Sequence, residues 1–70
     1  MNFIYAEMAG KILEICVHVG DVIDPDQDVI IMESMKMQIP VATAKAGRIK
    51  TIVVSVGQFV NEGDALVELE

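Results

Sequence analysis

The strongest constraint on the fold of this chain is an internal repeat at an offset of 37 residues. When Gly10 is aligned with Gly47, identical or similar residues continue without a gap to the pair Glu33/Glu70. The identical pairs are Ala9/Ala46, Gly10/Gly47, Ile12/Ile49, Ile15/Ile52, Val17/Val54, Val19/Val56, Gly20/Gly57 and Glu33/Glu70. A gapless match of this length indicates a duplicated half-domain. We therefore expect two similar halves related by a quasi-twofold axis.

Each half contains the two-residue alternation of a half-buried β-strand. In the first half the strand is expected over 13–19, with these residues facing inwards: Leu13, Ile15, Val17 and Val19. In the second half the equivalent inward residues are Ile52, Val54 and Val56. Ile12 and Ile49 break the alternation in both copies, which predicts β-bulges near Leu13 and Lys50.

Turn-forming residues separate the expected strands. Gly20-Asp21 and Gly57-Gln58 are typical of tight turns, and Asp24–Gln27 and Asn61–Asp64 are typical of the turns that follow. No segment shows an apolar stripe of helical period with caps at its ends. The sequence therefore predicts an all-β fold.

Length and charge limit the domain count and the class of partner. A chain of 70 residues allows one domain, over 1–70. A net charge of −6 argues against nucleic acid and anionic membranes as partners, and no apolar run is long enough to span a bilayer. Cys16 is the single cysteine, so no intramolecular disulfide can form and a reducing, cytoplasmic setting is expected. The domain itself is expected to be monomeric.

The segment Glu33-Ser34-Met35-Lys36-Met37 lies between two short apolar runs that are rich in β-branched residues. This arrangement predicts a hairpin with its tip at 34–37, joining half-repeats at about 1–34 and 38–70. The amine of Lys36 would then project into solvent. Positions equivalent to Lys36 in the repeat fall beyond both ends of the chain, so the ends are expected together at the opposite pole.

These residues resemble the biotin-attachment motif, which is usually written with Ala before Met-Lys-Met and here reads ESMKM followed by Gln38-Ile39-Pro40. The flanking stretches MAGKI, VGDVI, AGRI and VGQFVNEGD agree with the same family, so the resemblance covers essentially the whole chain. It is a resemblance to the biotin carboxyl carrier proteins and to short, free-standing biotin/lipoyl attachment proteins. It implies a flattened barrel-sandwich hybrid of two four-stranded antiparallel sheets.

The resemblance also implies a role for each residue of the motif. Lys36 would be joined covalently to biotin by a biotin protein ligase, and the recognition motif around it would be Glu33, Ser34, Met35 and Met37. The carrier would have no catalytic residue of its own, because the cofactor carries the carboxyl group between partner enzymes. Those partners would be a biotin carboxylase and a carboxyltransferase.

Other interpretations of the motif stay open. The lipoyl branch of the family typically has Asp-Lys-Ala at the tip, so methionine on both sides of Lys36 favours biotin, with lipoate as the alternative cofactor. A purely structural module, with Lys36 a solvated turn residue, is a further possibility. Ser34 stands where Ala is usual, and because both are small we expect little effect.

Two other groups of residues are interpreted as non-functional. Asp24-Pro25-Asp26-Gln27-Asp28 resembles the start of a calcium loop, but Val29 stands where that loop needs Gly. It is therefore a solvated turn, and no metal site is expected. Cys16 and His18 share the polar face of their strand without a group that would orient a catalytic base, so no nucleophilic pair is expected.

Overall fold

A computed structural model describes residues 2–70, all of which lie in strands, turns or irregular segments. Eight β-strands follow in order: β1 (Asn2–Tyr5), β2 (Gly10–Ile15), β3 (Val22–Ile23), β4 (Asp28–Ser34), β5 (Met37–Ala42), β6 (Gly47–Ile52), β7 (Phe59–Val60) and β8 (Ala65–Leu69). They form two four-stranded antiparallel sheets, in the orders β1-β8-β6-β3 and β5-β4-β2-β7. The predicted all-β sandwich is confirmed. In residues 2–70 we find no helix with the length and apolar character needed to cross a membrane.

The offset of the sequence repeat also relates the strands. Shifting β2 and β3 by 37 residues gives the bounds of β6 and β7. Shifted β1 falls within β5, and shifted β4 begins with β8 at Ala65. Applying the same exchange to the order of one sheet gives the order of the other. Each sheet therefore contains two strands from each half of the chain, so the halves are interleaved rather than stacked.

Backbone hydrogen bonds between the halves are reciprocal. The Gly20 amide donates to the Ile49 carbonyl and the Gly57 amide donates to the Ile12 carbonyl, both at 2.8 Å. Gly20 and Gly57 have φ of 94° and 91°, a region that favours glycine, which confirms both predicted tight turns. The turn of each half is thus fixed to a strand of the other.

The core between the sheets is aliphatic and contains no buried charged or polar side chain among residues 2–70. Both bulges were predicted correctly, because the pairing register shifts between Ile12 and Glu14 and again between Ile49 and Thr51. The buried side chains are Ile4, Ala6, Ile12, Val17, Ile23, Val29, Ile30, Met32, Ile49, Val54, Val60, Leu66, Val67 and Leu69.

The predicted extent of the alternating strands was wrong. β2 ends at Ile15, and Val19 and Val56, expected inside, are each 63% exposed. The chain leaves the sheet after Ile15 and turns back at Gly20, so the alternation of residue types continues past the last paired residue. Beyond Ile15 and Ile52, only Val17 and Val54 of the alternating segments are buried in the core.

The hairpin and the chain ends lie at different places in the sandwich. From Lys36, strand β5 runs six residues to Ala42, or about 20 Å. The next strand begins at Gly47, which lies against Leu69, and Leu69 pairs with Asn2. The two ends therefore lie side by side in the sheet that does not contain the hairpin, towards the far end of β5.

Candidate functional site: the tip of the β4–β5 hairpin

The hairpin between β4 and β5 closes with a two-residue turn. Ser34 pairs with Met37, which leaves Met35 and Lys36 as the two turn residues. Their φ values are 53° and 66°, so both lie in the left-handed region, as a type I′ turn requires. Asn-Gly is the usual pair in such a turn, because a side chain other than Asn or Asp costs about 1 kcal/mol or more there. Residues held in this way often have a function that turn geometry does not explain.

The tip presents one amine between two thioethers. Met35 is 88% exposed and Met37 is 59% exposed, on either side of the exposed Lys36. The two ion pairs found among residues 2–70 join His18 to Asp21 and Lys50 to Glu68, so neither involves the Lys36 amine. The amine and the two flexible side chains are therefore available to a partner protein at the same time.

Glu33 and Ser34 lie where the hairpin joins the body of the sheet. Glu33 is exposed, opposite Lys11 on one side and Gln38 on the other. Ser34 is half-buried, and its hydroxyl donates a hydrogen bond of 2.8 Å to the carbonyl oxygen of Ala9. All five residues of the sequence motif are thus contiguous at the tip, and their role as a recognition motif stays a prediction.

The contact between Ser34 and Ala9 was missed from the sequence. The two residues are 25 positions apart, and nothing local to either one indicates that they meet. The contact depends on Gly10, since a Cβ atom there would lie 2.5 Å from the Glu33 carbonyl oxygen. Gly10 thus lets the β1–β2 loop approach the hairpin closely enough for Ser34 to fix it.

Outside the tip, no hydrogen bond or ion pair among residues 2–70 joins Cys16 to His18. Partial desolvation raises the pKa of the exposed Cys16 thiol, and the carboxylates of Glu14 and Asp28 raise it further. The His18 ring nitrogen Nδ1 lies 3.7 Å from an Asp21 carboxylate oxygen, with both side chains in solvent. Within residues 2–70, no three His, Cys, Asp or Glu side chains come close enough together to hold a metal ion.

Comparison with known proteins identifies the family to which the chain belongs. The family model described as "Biotin-requiring enzyme", of biotin/lipoyl type, matches residues 2–69. The chain belongs to the biotin/lipoyl attachment family. The biotin/lipoyl attachment protein of Bacillus subtilis (strain 168) is 46% identical over 63 residues, which cover 90% of this chain and 86% of that protein.

Proteins named for biotin and proteins named for a lipoyl group are both similar to this chain. The biotin carboxyl carrier protein of Streptococcus mutans is 41% identical over 68 residues, 97% of this chain and 52% of that protein. The dihydrolipoyllysine-residue acetyltransferase component of pyruvate dehydrogenase complex from Azotobacter vinelandii is 39% identical over 61 residues, which cover 87% of this chain. The chain spans about half of the first protein and 10% of the second.

A solved structure agrees in fold. The crystal structure of Kluyveromyces lactis urea carboxylase superimposes with a TM-score of 0.92 at 29% identity, covering 99% of this chain and 6% of that one. The predicted family and sandwich architecture are both confirmed. Family membership shows that the chain is a carrier of biotin or lipoate type. It does not decide between the two cofactors, and the residues of the hairpin bear on that choice.

Proposed function

We propose that this chain is a biotin carboxyl carrier and that its cofactor is joined to the Nζ atom of Lys36. The observation that carries the proposal is the strained turn that holds an exposed lysine between two exposed methionines. An amide bond forms when the deprotonated amine attacks the acyl carbon of biotin activated as its adenylate and AMP leaves, so the nitrogen must be accessible to a ligase. Lys36 meets this requirement because it lies at the apex of the hairpin and takes part in neither ion pair found among residues 2–70.

The residues around Lys36 fit a large protein partner. No carboxylate pairs with the Lys36 amine among residues 2–70, so we expect a biotin protein ligase to supply the base that removes the proton. Met35 and Met37 offer adaptable apolar contacts, which suit a surface that must bind first the ligase and later the carboxylase enzymes. Once attached, biotin would carry a carboxyl group from a biotin carboxylase to a carboxyltransferase, and the carrier itself would catalyse no step.

Lipoate is the second candidate. One similar protein is named a biotin/lipoyl attachment protein and another a dihydrolipoyllysine-residue acetyltransferase component, and the exposed amine alone would serve either acid. Methionine on both sides of Lys36, without an acid at position 35, supports biotin.

Intact-mass measurement decides between them. The protein is incubated with ATP and either biotin plus a biotin protein ligase or lipoate plus a lipoate ligase. We expect one biotinyl group per chain and little lipoylation. Lys36→Arg should abolish the addition, because arginine keeps the charge but cannot be acylated under these conditions. The matched control Lys45→Arg, at an exposed lysine of another turn, should be modified like the unchanged protein. Modification of Lys36→Arg, or lipoylation alone, would contradict the proposal.

A further inference from the structure

A cleft of about 210 Å³ opens beside the hairpin, between the β1–β2 loop and strand β5. Glu7 and Met8 of the loop form one side, and residues 39–42 of β5 form the other. Met32 of β4 also lines the cleft and is buried, with 1% of its surface exposed, so part of the lining is apolar. Pockets for drug-sized molecules measure about 300–1,000 Å³, so this cleft suits a ring system rather than a larger ligand.

The two halves of the molecule differ at the residues that shape the cleft. The repeat places Phe3 and Tyr5 of β1 where β5 has Pro40 and Ala42. Phe3 and Tyr5 form an aromatic pair, with ring centroids 5.9 Å apart, whereas Pro40 and Ala42 are small. Because both halves build the same fold, the small residues of β5 are not a requirement of the architecture.

The cleft lies within reach of a group tethered to Lys36. Pro40 is four residues from Lys36 along the strand, or about 13 Å. The lysine side chain and a five-carbon acyl chain attached to it together form a flexible arm, joined by single bonds, of about the same length as that distance. The loop wall is held against the hairpin by the hydrogen bond from Ser34 to Ala9. A ring at the end of such an arm can therefore fold back into the cleft.

Two of the residues that line the cleft supply hydrogen-bond acceptors. Ser34 and Met37 flank a two-residue turn, so the ladder alternation makes Ile31 and Pro40 a non-hydrogen-bonded pair. The backbone groups of Pro40 then point away from β4, towards the open edge, and proline offers a carbonyl there but no N–H. Glu7 adds a carboxylate. Such a site fits a ring that carries N–H donors, as the ureido ring of biotin does and the dithiolane ring of lipoate does not.

We propose that this cleft is a resting site for the fused ring of biotin attached to Lys36, and that it discriminates against a lipoyl ring. The inference rests on the proposed attachment at Lys36. Weak affinity is sufficient, because a short flexible tether gives an effective concentration in the millimolar range. A ring with a Kd of about 1 mM would therefore occupy the cleft about half of the time and remain free to leave for a partner enzyme.

The first test uses the unmodified protein, with ¹³C-labelled methionine methyl groups observed by NMR. Titration with biotinamide to several millimolar should shift the Met8 and Met32 signals and leave those of Met35 and Met37 in place. Lipoamide at the same concentrations should shift none of them. Ala42→Tyr should fill the cleft and abolish the response, whereas Ala44→Tyr, which adds the same ring outside the cleft lining, should preserve it.

The second test uses the biotinylated protein, with attachment verified by intact mass. The Met8 and Met32 signals should shift in the same direction as with biotinamide. Ala42→Tyr should reverse that shift and raise the rate of association with streptavidin by about twofold, as expected for release of a ring that is half-sequestered.

The outcomes separate the two proposals. If Lys36 cannot be biotinylated, the proposed function fails, while the biotinamide titration still decides whether the cleft binds the ring. The resting site is overturned if Met8 and Met32 do not respond to biotinamide and to attached biotin. It is equally overturned if lipoamide gives the same response, or if Ala42→Tyr leaves the response intact.

Discussion

Gly10 and Gly47 occupy equivalent positions in the two halves, yet their surroundings differ. A Cβ atom on Gly10 would lie 2.5 Å from the backbone oxygen of Glu33, whereas one on Gly47 would lie 3.4 Å from a side-chain carbon of Leu69. A backbone oxygen in a paired strand cannot move aside, and a leucine methyl group can. We therefore expect Gly10→Ala to lower the free energy of unfolding by about 1–3 kcal/mol.

Gly47→Ala is the matched control, since the same methyl group is added at the equivalent place. We expect it to change the free energy of unfolding by less than about 1 kcal/mol, measured by urea denaturation for both variants. Equal destabilisation by the two substitutions would show that close approach of the loop is not what Gly10 provides.

Cys16 gives a prediction that depends on pH. Partial desolvation and the carboxylates of Glu14 and Asp28 raise the pKa of its exposed thiol, so a smaller fraction is thiolate at a given pH. Alkylation by iodoacetamide should therefore be slower than that of an unstructured cysteine at pH 8, and should accelerate as the pH rises through the raised pKa. Asp28→Asn removes one negative charge, which lowers the pKa and should speed the reaction by about twofold.

Mass spectrometry of timed samples gives the alkylation rates. Glu62→Gln serves as the control, because it removes the same charge from a residue that does not act on the Cys16 pKa. A rate for Asp28→Asn that is equal to or below that of the control would contradict the electrostatic effect.

At the residue scale, the sequence predicted which residues gather at the tip but not what holds them. The position of Lys36 between two methionines followed from the order of the chain. The hydrogen bond from Ser34 to Ala9 did not, because it joins segments that meet only after the sheets have formed. A serine in place of alanine looks neutral by size, whereas its hydroxyl makes a contact that alanine cannot make.

The hairpin turn is the element whose sequence agrees least with its backbone. Met35 has φ of 53°, where asparagine is tolerated much better than methionine. Met35→Asn should therefore raise the free energy of unfolding by about 0.5–1 kcal/mol. It should also lower kcat/KM for modification by a biotin protein ligase, because one of the two exposed thioethers is lost.

Met37→Asn separates these two effects. Met37 is also exposed but starts strand β5, outside the residues of positive φ, so asparagine there brings no relief of the backbone. This control should lose ligase activity without gaining stability. Urea denaturation and initial rates of modification measure the two quantities, and a Met35→Asn variant that is no more stable than the original would show that the turn carries no strain.

Among the elements, bulges and turns were predicted better than strand ends. The bulges at Leu13 and Lys50 followed from Ile12 and Ile49, which break the alternation in both copies. Strand ends depend on where pairing stops, and alternating valines continue to Val19 and Val56 after the chain has left the sheet. The alternation of residue types in a sequence does not show where the hydrogen bonds between strands end.

Equivalent turns of the two halves keep the same side-chain-to-backbone hydrogen bond, although the residue that accepts it differs. The side chains of Asp21 and Gln58 accept hydrogen bonds from the backbone amides of His18 and Ser55, respectively. The side chains of Gln27 and Asp64 accept them from the backbone amides of Asp24 and Asn61. Each half thus closes one turn with a carboxylate and the other with an amide, in opposite order. Both side chains supply an acceptor oxygen that reaches the same backbone amide, so the repeat preserves the contact without preserving the residue.

On the scale of the whole molecule, interleaving of the halves leads us to expect that the chain folds as a single cooperative unit. Each sheet takes two strands from each half, and the turns at Gly20 and Gly57 are bonded across to Ile49 and Ile12. A separated half would leave these backbone groups without partners and would expose the aliphatic core. Neither half is therefore expected to be stable alone.

Two peptides that divide the chain at the tip, 1–35 and 36–70, test this expectation. Each should be monomeric and unfolded by circular dichroism and NMR, because its strands lack their neighbours in both sheets. An equimolar mixture should recover the dispersed spectrum of the intact chain, since only the turn between β4 and β5 has been cut. The intact chain at the same concentration provides the reference spectrum. A dispersed spectrum from either peptide as a monomer would show that the duplicated unit is a folding unit, and that the reciprocal bonds join two structures already formed.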